Sequence, residues 1–372
     1  MDLEFSEEQQ MIKDMARSIL DEHSSVDAVR KLEDDPKGYS DALWKQLGES
    51  GLLGLTIPVE YGGGGQGLLE AALVYEEIGR TLASAPHFVS AVMSAGLFLE
   101  AGSDAQKSEW LPRIATGETI VSPAWLEPER GYGPVGVQLE AKADGDGFIL
   151  SGVKLHVHYA NSADRLVVLA RTDAGIDLFL VDPKASGVSM RQVYSQSADA
   201  QYWVTLDGVR VYADDRIGAP GTGWDTFSKV LHDGIVLLSA QAVGGAQQAL
   251  DITAEYARVR TQFDKPLAAF QSLAHYMADA STSIDGGRVL VHEAAWNRAQ
   301  GRPISRLAPM AKLFCCDTYT AVTRMCEQVW GGVGFTLEYD VQLYFRRAKQ
   351  LELSWWDGPY LEELVAADVL DS

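Results

Sequence analysis

The stretch Arg258–Gln271, RVRTQFDKPLAAFQ, decides how this chain is read. Small and apolar residues lead into it from Ile235 to Leu250, at helical spacing. Arg260 and the pair Gln262-Phe263 follow, then Asp264-Lys265-Pro266, then a restart at Leu267. Pro266 has no N–H to donate and cannot continue a helical ladder, so the spacing predicts a helix that ends at a turn. Taken alone, that is a helix end with a solvated arginine. A second stretch, Gln328–Phe335 (QVWGGVGF), closes another long apolar segment with glycines. Arg260 offers the planar, permanently charged donor that a diphosphate wants. Gln262 can both donate and accept, and Phe263 offers a flat apolar face. Gly331 and Gly332 let backbone N–H groups come close to a phosphate. For these glycines a tight turn between helices is the plainer reading.

Composition bounds the rest. The chain has 372 residues, 47% apolar and 22% charged, as expected for a soluble globular protein with two or three domains. Its formal net charge of -21 argues against nucleic acid or an anionic membrane as a general partner. Cys315, Cys316 and Cys326 lie in apolar helical surroundings and are expected as buried thiols, not a disulfide framework. The opening MDLEFSEEQQ shows no signal-peptide pattern, and no apolar run reaches the length of a membrane span. The expectation is a cytoplasmic protein with no membrane insertion.

Periodicity divides the chain in three. Helices are expected over 5–25, with Ser6 and Gln9 as a capping box, and over 40–50, 68–79, 85–99 and 104–115. The four glycines Gly62 to Gly65 lack the Lys-Ser or Lys-Thr of a phosphate loop and read as a flexible loop. After Gly117 the period shortens. Val137, Leu139 and Ala141 alternate, Asp144-Gly145-Asp146-Gly147 reads as a hairpin turn, and strands are expected at 148–150, 156–159, 165–171, 176–181, 201–206 and 209–212. From Trp224 long apolar stripes return, near 224–260, 267–299, 305–331 and 337–355, enough for a four-helix bundle. The expected fold is α+β: an all-helical domain over 1–117, a β-barrel or sandwich over 118–222, and a helical bundle over 223–372.

The pair RTQF and QVWGGVGF resembles the acyl-CoA dehydrogenase family, and PVEYGGGG and YEEIGR look like its N-terminal domain. The resemblance covers nearly the whole chain and implies FAD as cofactor. On that resemblance Arg260, Gln262, Phe263, Gln328, Gly331 and Gly332 hold the diphosphate and adenosine end, reaching a flavin seated mainly on a neighbouring subunit.

The isoalloxazine end departs from the family. Where the family resembles Tyr-Cys-Val-Thr-Glu-Pro, this chain has Pro123-Ala124-Trp125-Leu126-Glu127-Pro128. Where it resembles Lys-x-Trp-Ile-Thr-Asn-Gly, this chain has Lys154-Leu155-His156-Val157-His158-Tyr159-Ala160. His156 stands in place of a tryptophan that packs on the flavin, and His158 in place of a threonine that bonds N5. Two apart on a strand, they share a face, but no third ligand stands at metal spacing, so no metal is expected.

The family's base is a glutamate. Counting on from Arg346-Arg347-Ala348-Lys349 puts Trp355 there, or Asp357 with a two-residue gap. A second family position falls on Gly234, beside Asp233. Asp357 and Asp233 are thus candidate bases, each with a plainer reading as a loop carboxylate or helix cap. The resemblance then implies one subunit of an α2β2 acyl-CoA dehydrogenase acting on a bulky, steroid side-chain type of acyl-CoA. A homologous subunit would carry the glutamate, and an electron-transfer flavoprotein or similar acceptor would take the electrons. Three other readings stay open: a self-sufficient homotetramer using Asp357 or Asp233, a flavin enzyme of another class on the same fold, and a non-catalytic scaffold subunit.

Overall fold

The computed structural model describes residues 4–197 and 199–370. The chain runs through helices, then strands, then helices, as the periodicity predicts. Helix Glu7–His23 starts at Ser6, whose side chain accepts the Gln9 N–H while Gln9 returns a bond to Ser6 N, the expected capping box. Helix Asp104–Thr116 starts in the same way, with Ser103 and Gln106. The segment expected as helix over 85–99 is less regular. It begins as a π-helix, Phe88–Ser94, and becomes an α-helix only at Ala95–Ala101. Ser94 Oγ donates to Val89 O at 2.8 Å and to Val121 O at 2.9 Å, which ties the widened turn to the strand after it.

Eight strands make one sheet: β1 (Val121–Ala124), β2 (Glu140–Asp144), β3 (Gly147–His158), β4 (Arg165–Thr172), β5 (Gly175–Val181), β6 (Val188–Val193), β7 (Gln201–Tyr212) and β8 (Arg216–Ile217). Their order is β6-β7-β3-β2-β4-β5-β8, with β1 parallel to β4. The path is open, so the middle region is a sandwich-type sheet and not a closed barrel. The hairpin at Asp144–Gly147 joins β2 to β3 as expected, with Gly145 in the left-handed region at φ 62°. The stretches 148–150 and 156–158 belong to one twelve-residue strand, which ends one residue short of the expected 159, and 201–206 and 209–212 belong to another. Both pairs look separate in sequence because register shifts between Leu150 and Gly152, and between Lys154 and Val157, interrupt the alternation.

The later helices are Gly223–Val259, Gln271–Ala299, Leu307–Trp330 and Val341–Leu353, close to the expected spans, plus Gly358–Leu370, which the sequence reading did not anticipate. Among the described residues no helix is long and apolar enough to cross a membrane. The three cysteines are free and buried. The four glycines 62–65 are not slack: Gly64 N–H donates to Gly54 O and Gly65 N–H to Ile57 O, both at 2.9 Å.

The chain forms two compact units. One contains helices Glu7–His23 and Leu68–Thr81 with the chain from Ile235 onward; the other contains Arg30–Gln66 and Ser84–Gly234. In the first, helix Leu68–Thr81 lies backbone to backbone against helix Gly223–Val259. A methyl built on Gly79 would stand 1.9 Å from Gln241 O, and one built on Gly244 would stand 1.9 Å from Glu76 O. Neither position can accept a side chain without separating the helices. Gly244→Ala should therefore cost about 1–3 kcal/mol by overpacking. Gly286→Ala, whose methyl would meet only Phe314 at 3.6 Å, should gain about 0.5–1 kcal/mol of helix propensity. Urea unfolding of both variants checks the contrast, and a Gly244→Ala protein as stable as wild type contradicts the close approach.

Candidate functional site

The stretch that decides the fold closes helix Gly223–Val259 with a small hairpin. Thr261–Gln262 pairs with Lys265–Pro266, and the turn residues Phe263 and Asp264 are left-handed at φ 53° and 60°. Pro266 sits in the second short strand, where it owes no N–H to a helix. The hairpin holds Arg260, Gln262 and Phe263 outward: all three are exposed, Phe263 at 87%. Phe263 meets Phe270 edge to face, and Lys265 lies over the Phe270 ring.

Helix Leu307–Trp330 ends beside that hairpin. Trp330 stacks on Tyr256 with ring centroids 4.0 Å apart, and Trp330 Nε1 donates to Thr253 Oγ1 at 3.0 Å. Arg260 N–H donates to Tyr256 O at 2.8 Å, so the two motifs meet through one aromatic pair. Gln328 is exposed, and Gly331 takes φ 68° and ψ -145°, a backbone that suits glycine. Methyl groups built on Gly331 or Gly332 would meet nothing within 4 Å. This unfilled glycine corner, with an exposed guanidinium and amides nearby, fits the phosphate end of a dinucleotide.

The second candidate region is polar and turned inward. Lys154, 0% exposed, donates to Glu127 Oε1 at 2.7 Å and to Trp125 O at 3.3 Å. Glu127 Oε1 also accepts the N–H groups of Gln138 and Leu139 at 3.0 and 2.9 Å. The two residues retained from the flavin-side motifs thus form one buried clamp. Burial brings the Lys154 ammonium down to about 8, against the pull of Glu127.

His156 and His158 are brought together by a route that strand alternation does not predict. The register shift puts His156 at φ 52°, and its Nδ1 lies 2.6 Å from Gln201 Oε1. Gln201 Nε2 donates to Asp199 Oδ2 at 2.5 Å, so its oxygen faces His156 and the His156 Nδ1 carries the proton. His158 Nε2 stands 3.3 Å from the same Asp199 oxygen, while Ser197 donates to the other oxygen at 2.7 Å and Ser195 donates to it as well. Asp199 is 5% exposed. Burial works to raise its carboxyl, but His158, Ser195 and Gln201 outweigh it and hold the group well below the usual carboxylate range. The sequence reading missed Asp199 and Gln201 because they belong to no motif. The signal that finds them is the register of β3 on β7, which sets His158 directly opposite Gln201.

Of the two candidate bases, Asp357 has a structural duty. Asp357 Oδ1 accepts the Tyr360 N–H at 3.1 Å and caps helix Gly358–Leu370. Before it, Trp355 and Trp356 are buried and left-handed at φ 56° and 77°, an unusual backbone for so bulky a side chain. The fully buried Lys312 donates to Leu351 O and Trp356 O, each at 2.9 Å, and fixes that turn. Asp233 is half-buried beside His232, whose ring bonds Ser228 O at 2.7 Å. A methyl on Gly234 would stand 3.0 Å from Met93 Sδ and 3.1 Å from Phe88 Cζ, so this position has little room for a longer side chain.

Comparison with known proteins agrees with this layout. The sequence matches the acyl-CoA dehydrogenase N-terminal domain over residues 6–118, the middle domain over 123–209 and the C-terminal domain over 221–359. It is 31% identical over 366 residues to the probable acyl-CoA dehydrogenase YngJ of Bacillus subtilis, covering 95% of each chain. It superposes on a chain of the ChsE4-ChsE5 complex from Mycobacterium tuberculosis with a TM-score of 0.92 at 28% identity, covering 100% of both chains. A Tcur3481-Tcur3483 steroid ACAD variant gives 0.89 at 30% identity, with 98% of each chain covered.

The Asp199 cluster makes a stability prediction. Asp199→Asn should cost about 3 kcal/mol at neutral pH by stranding buried donors. Because the folded carboxyl lies below its unfolded value, its contribution is complete above about pH 5 and is lost as pH falls toward the lower folded value. The gap between wild type and Asp199→Asn in urea unfolding should narrow with acidification; a gap constant with pH contradicts the assignment.

Proposed function

Because this chain belongs to the acyl-CoA dehydrogenase family, we propose that it is one subunit of an α2β2 acyl-CoA dehydrogenase whose catalytic glutamate lies on a homologous partner. It is a flavin-dependent oxidoreductase of this fold, with FAD as cofactor, acting within a multi-subunit complex. The proposed reaction is α,β-desaturation of a bulky acyl-CoA, of the steroid side-chain type. The likeness to chains of a two-component complex and of a steroid ACAD supports that substrate class. An electron-transfer flavoprotein or similar carrier takes the electrons, and the enzyme works in the cytoplasm. The functional division follows the residue ranges 1–117, 118–222 and 223–372.

One observation carries the reading: the residues suited to the two ends of FAD are in opposite states. At the phosphate end Arg260, Gln262, Gln328 and the Gly331–Gly332 corner are exposed, and no ion pair is described for Arg260. They fit the diphosphate, Arg260 as charged donor and the glycine backbone as close neighbour. At the isoalloxazine end His158 Nε2 is committed to Asp199 and His156 Nδ1 to Gln201, where the family offers a tryptophan face and a threonine hydroxyl. The two positions for a base hold a buried tryptophan and a crowded glycine, and Asp357 is a helix cap.

FAD, when bound, accepts the hydride that leaves Cβ. A carboxylate must reach the α proton at hydrogen-bonding distance, and the partner supplies it. This chain binds and orients the nucleotide end, and Lys154 with Glu127 keeps the loop between β1 and β2 rigid.

Native mass spectrometry of the chain co-expressed with its homologous neighbour should show two copies of each chain and two FAD. Four FAD, or a fully active homotetramer, overturns the shared-site reading. Stopped-flow flavin reduction by the chain alone should be slow; rapid reduction abolished by Asp357→Asn would instead make Asp357 the base. Arg260→Ala should weaken FAD retention by about 1.5–3 kcal/mol, read as a dissociation constant.

A further inference from the structure

Beside the glutamates of helix Leu68–Thr81 lies a histidine that the proposed reaction does not use. His292, on helix Gln271–Ala299, is 7% exposed, and its Nε2 is buried with no hydrogen-bond partner among the described residues. A polar atom left so in the interior is costly. Glu76 Oε1 stands 3.9 Å from it, beyond hydrogen-bonding distance. That carboxylate, itself 6% exposed, is already claimed. Lys13 Nζ reaches Oε2 at 3.1 Å and Arg288 Nε reaches Oε1 at 3.2 Å.

The charged groups facing His292 come from three helices: Glu76 from Leu68–Thr81, Lys13 from Glu7–His23, and Arg288 one turn back on its own helix. From helix Leu307–Trp330 the buried Cys315 brings a thiol near Glu76 and Arg288, kept protonated by burial. Phe5 packs on the group. Its ring meets His292 edge to face at 5.5 Å, and Lys13 Nζ lies over it at 5.7 Å. One carboxylate thus serves two cations, and a proton on His292 would make a third. Burial works against that proton and Glu76 favours it, but Arg288 and Lys13 side with burial, and the imidazole is held below its ordinary range. The cations differ in their alternatives. Arg288 has a second acceptor, Asp285 Oδ1 at 2.7 Å, whereas Lys13 pairs with Glu76 alone among the described residues. Near the start of the first helix Gln9 adds a hydrogen bond to Glu70 at 2.7 Å. Further along, Arg17 pairs with Glu77 at 2.9 Å and Asp21 with Arg80 at 2.6 Å, contacts that involve no histidine.

We propose that Lys13, Glu76, Arg288 and His292 form an acid-sensitive latch. It holds the first turns of helix Glu7–His23 against helices Leu68–Thr81 and Gln271–Ala299, and it loosens when His292 takes up a proton. With the latch closed, a protonated His292 leaves three cations around one buried carboxylate. With the latch open, Phe5 and Lys13 move off and water receives the imidazolium. A histidine held below its ordinary value in the closed form opposes closure only when protonated. The latch is therefore tightest above about pH 6.5 and weakens as pH falls below it. It belongs to the fold and does not depend on how the flavin is held.

Hydrogen exchange of the purified protein, corrected for the intrinsic pH dependence of exchange, is followed from about pH 8 to about pH 5.5 for wild type, His292→Gln and His292→Asn. In wild type, opening at the amides of residues 10–14 should rise by up to about tenfold per pH unit below pH 6.5, as the uptake of one proton requires. The amides of residues 18–22, beside the pairs without a histidine, should keep their protection. Both variants should lack the rise. An equal rise in the variants, or none in wild type, overturns the latch. The His292 ring, followed by NMR in wild type, gives a check that needs no substitution: its signals should shift over the same pH range as the exchange. A ring that titrates while protection at residues 10–14 stays constant removes the coupling, and the proposal with it.

Discussion

Two helices in contact through their backbones set the terms for the first compact unit. Gly79 and Gly244 bring helix Leu68–Thr81 onto helix Gly223–Val259 so closely that no Cβ fits between them. The residues just before Gly79 then have no route to water. Glu76 and Glu77 are buried there and must be matched. Lys13 reaches Glu76 at 3.1 Å and Arg288 reaches it at 3.2 Å, while Arg17 and Arg80 hold Glu77 at 2.9 and 2.5 Å. The first helix and helix Gln271–Ala299 are thereby tied to helix Leu68–Thr81 by charge. Tyr344 adds a bond to Arg80 O at 2.8 Å. The segment YEEIGR acquires a physical meaning: its glycine makes the approach, its glutamates gather two other helices, and its arginine returns one of the charges.

The same logic governs the sheet-bearing unit. A buried lysine is tolerated where a buried carboxylate and a carbonyl receive it, as Glu127 and Trp125 receive Lys154. A buried aspartate is tolerated where four donors converge, as they do on Asp199. The residues proposed for the phosphate end contrast with these. Among the described residues the side chains of Arg260 and Gln328 make no hydrogen bond to the fold, whereas His156 and His158 each spend a ring nitrogen on a side chain beside them.

Much of this was legible in the linear sequence. Ser6 with Gln9 marks a helix start, Pro266 marks a stop, and the glycine-aspartate run before Phe148 marks a hairpin, because each signal acts within four residues. The residues proposed for the nucleotide end could be named from the sequence because RTQF and QVWGG are contiguous stretches that resemble the family's. What escaped the sequence depends on partners far along the chain. Two long strands looked like four short ones because bulges reset the alternation. The place of His156 and His158 depends on Asp199 and Gln201, which only strand pairing brings opposite them. Asp357 could be named as a carboxylate, but its use as a cap is set by the turn that Lys312 holds. The sequence by itself determined the periodic elements and their caps, because those follow from neighbours in the chain. Which polar groups remain available to a ligand was decided only by the tertiary structure, because burial and long-range hydrogen bonding claim a side chain without leaving any local trace.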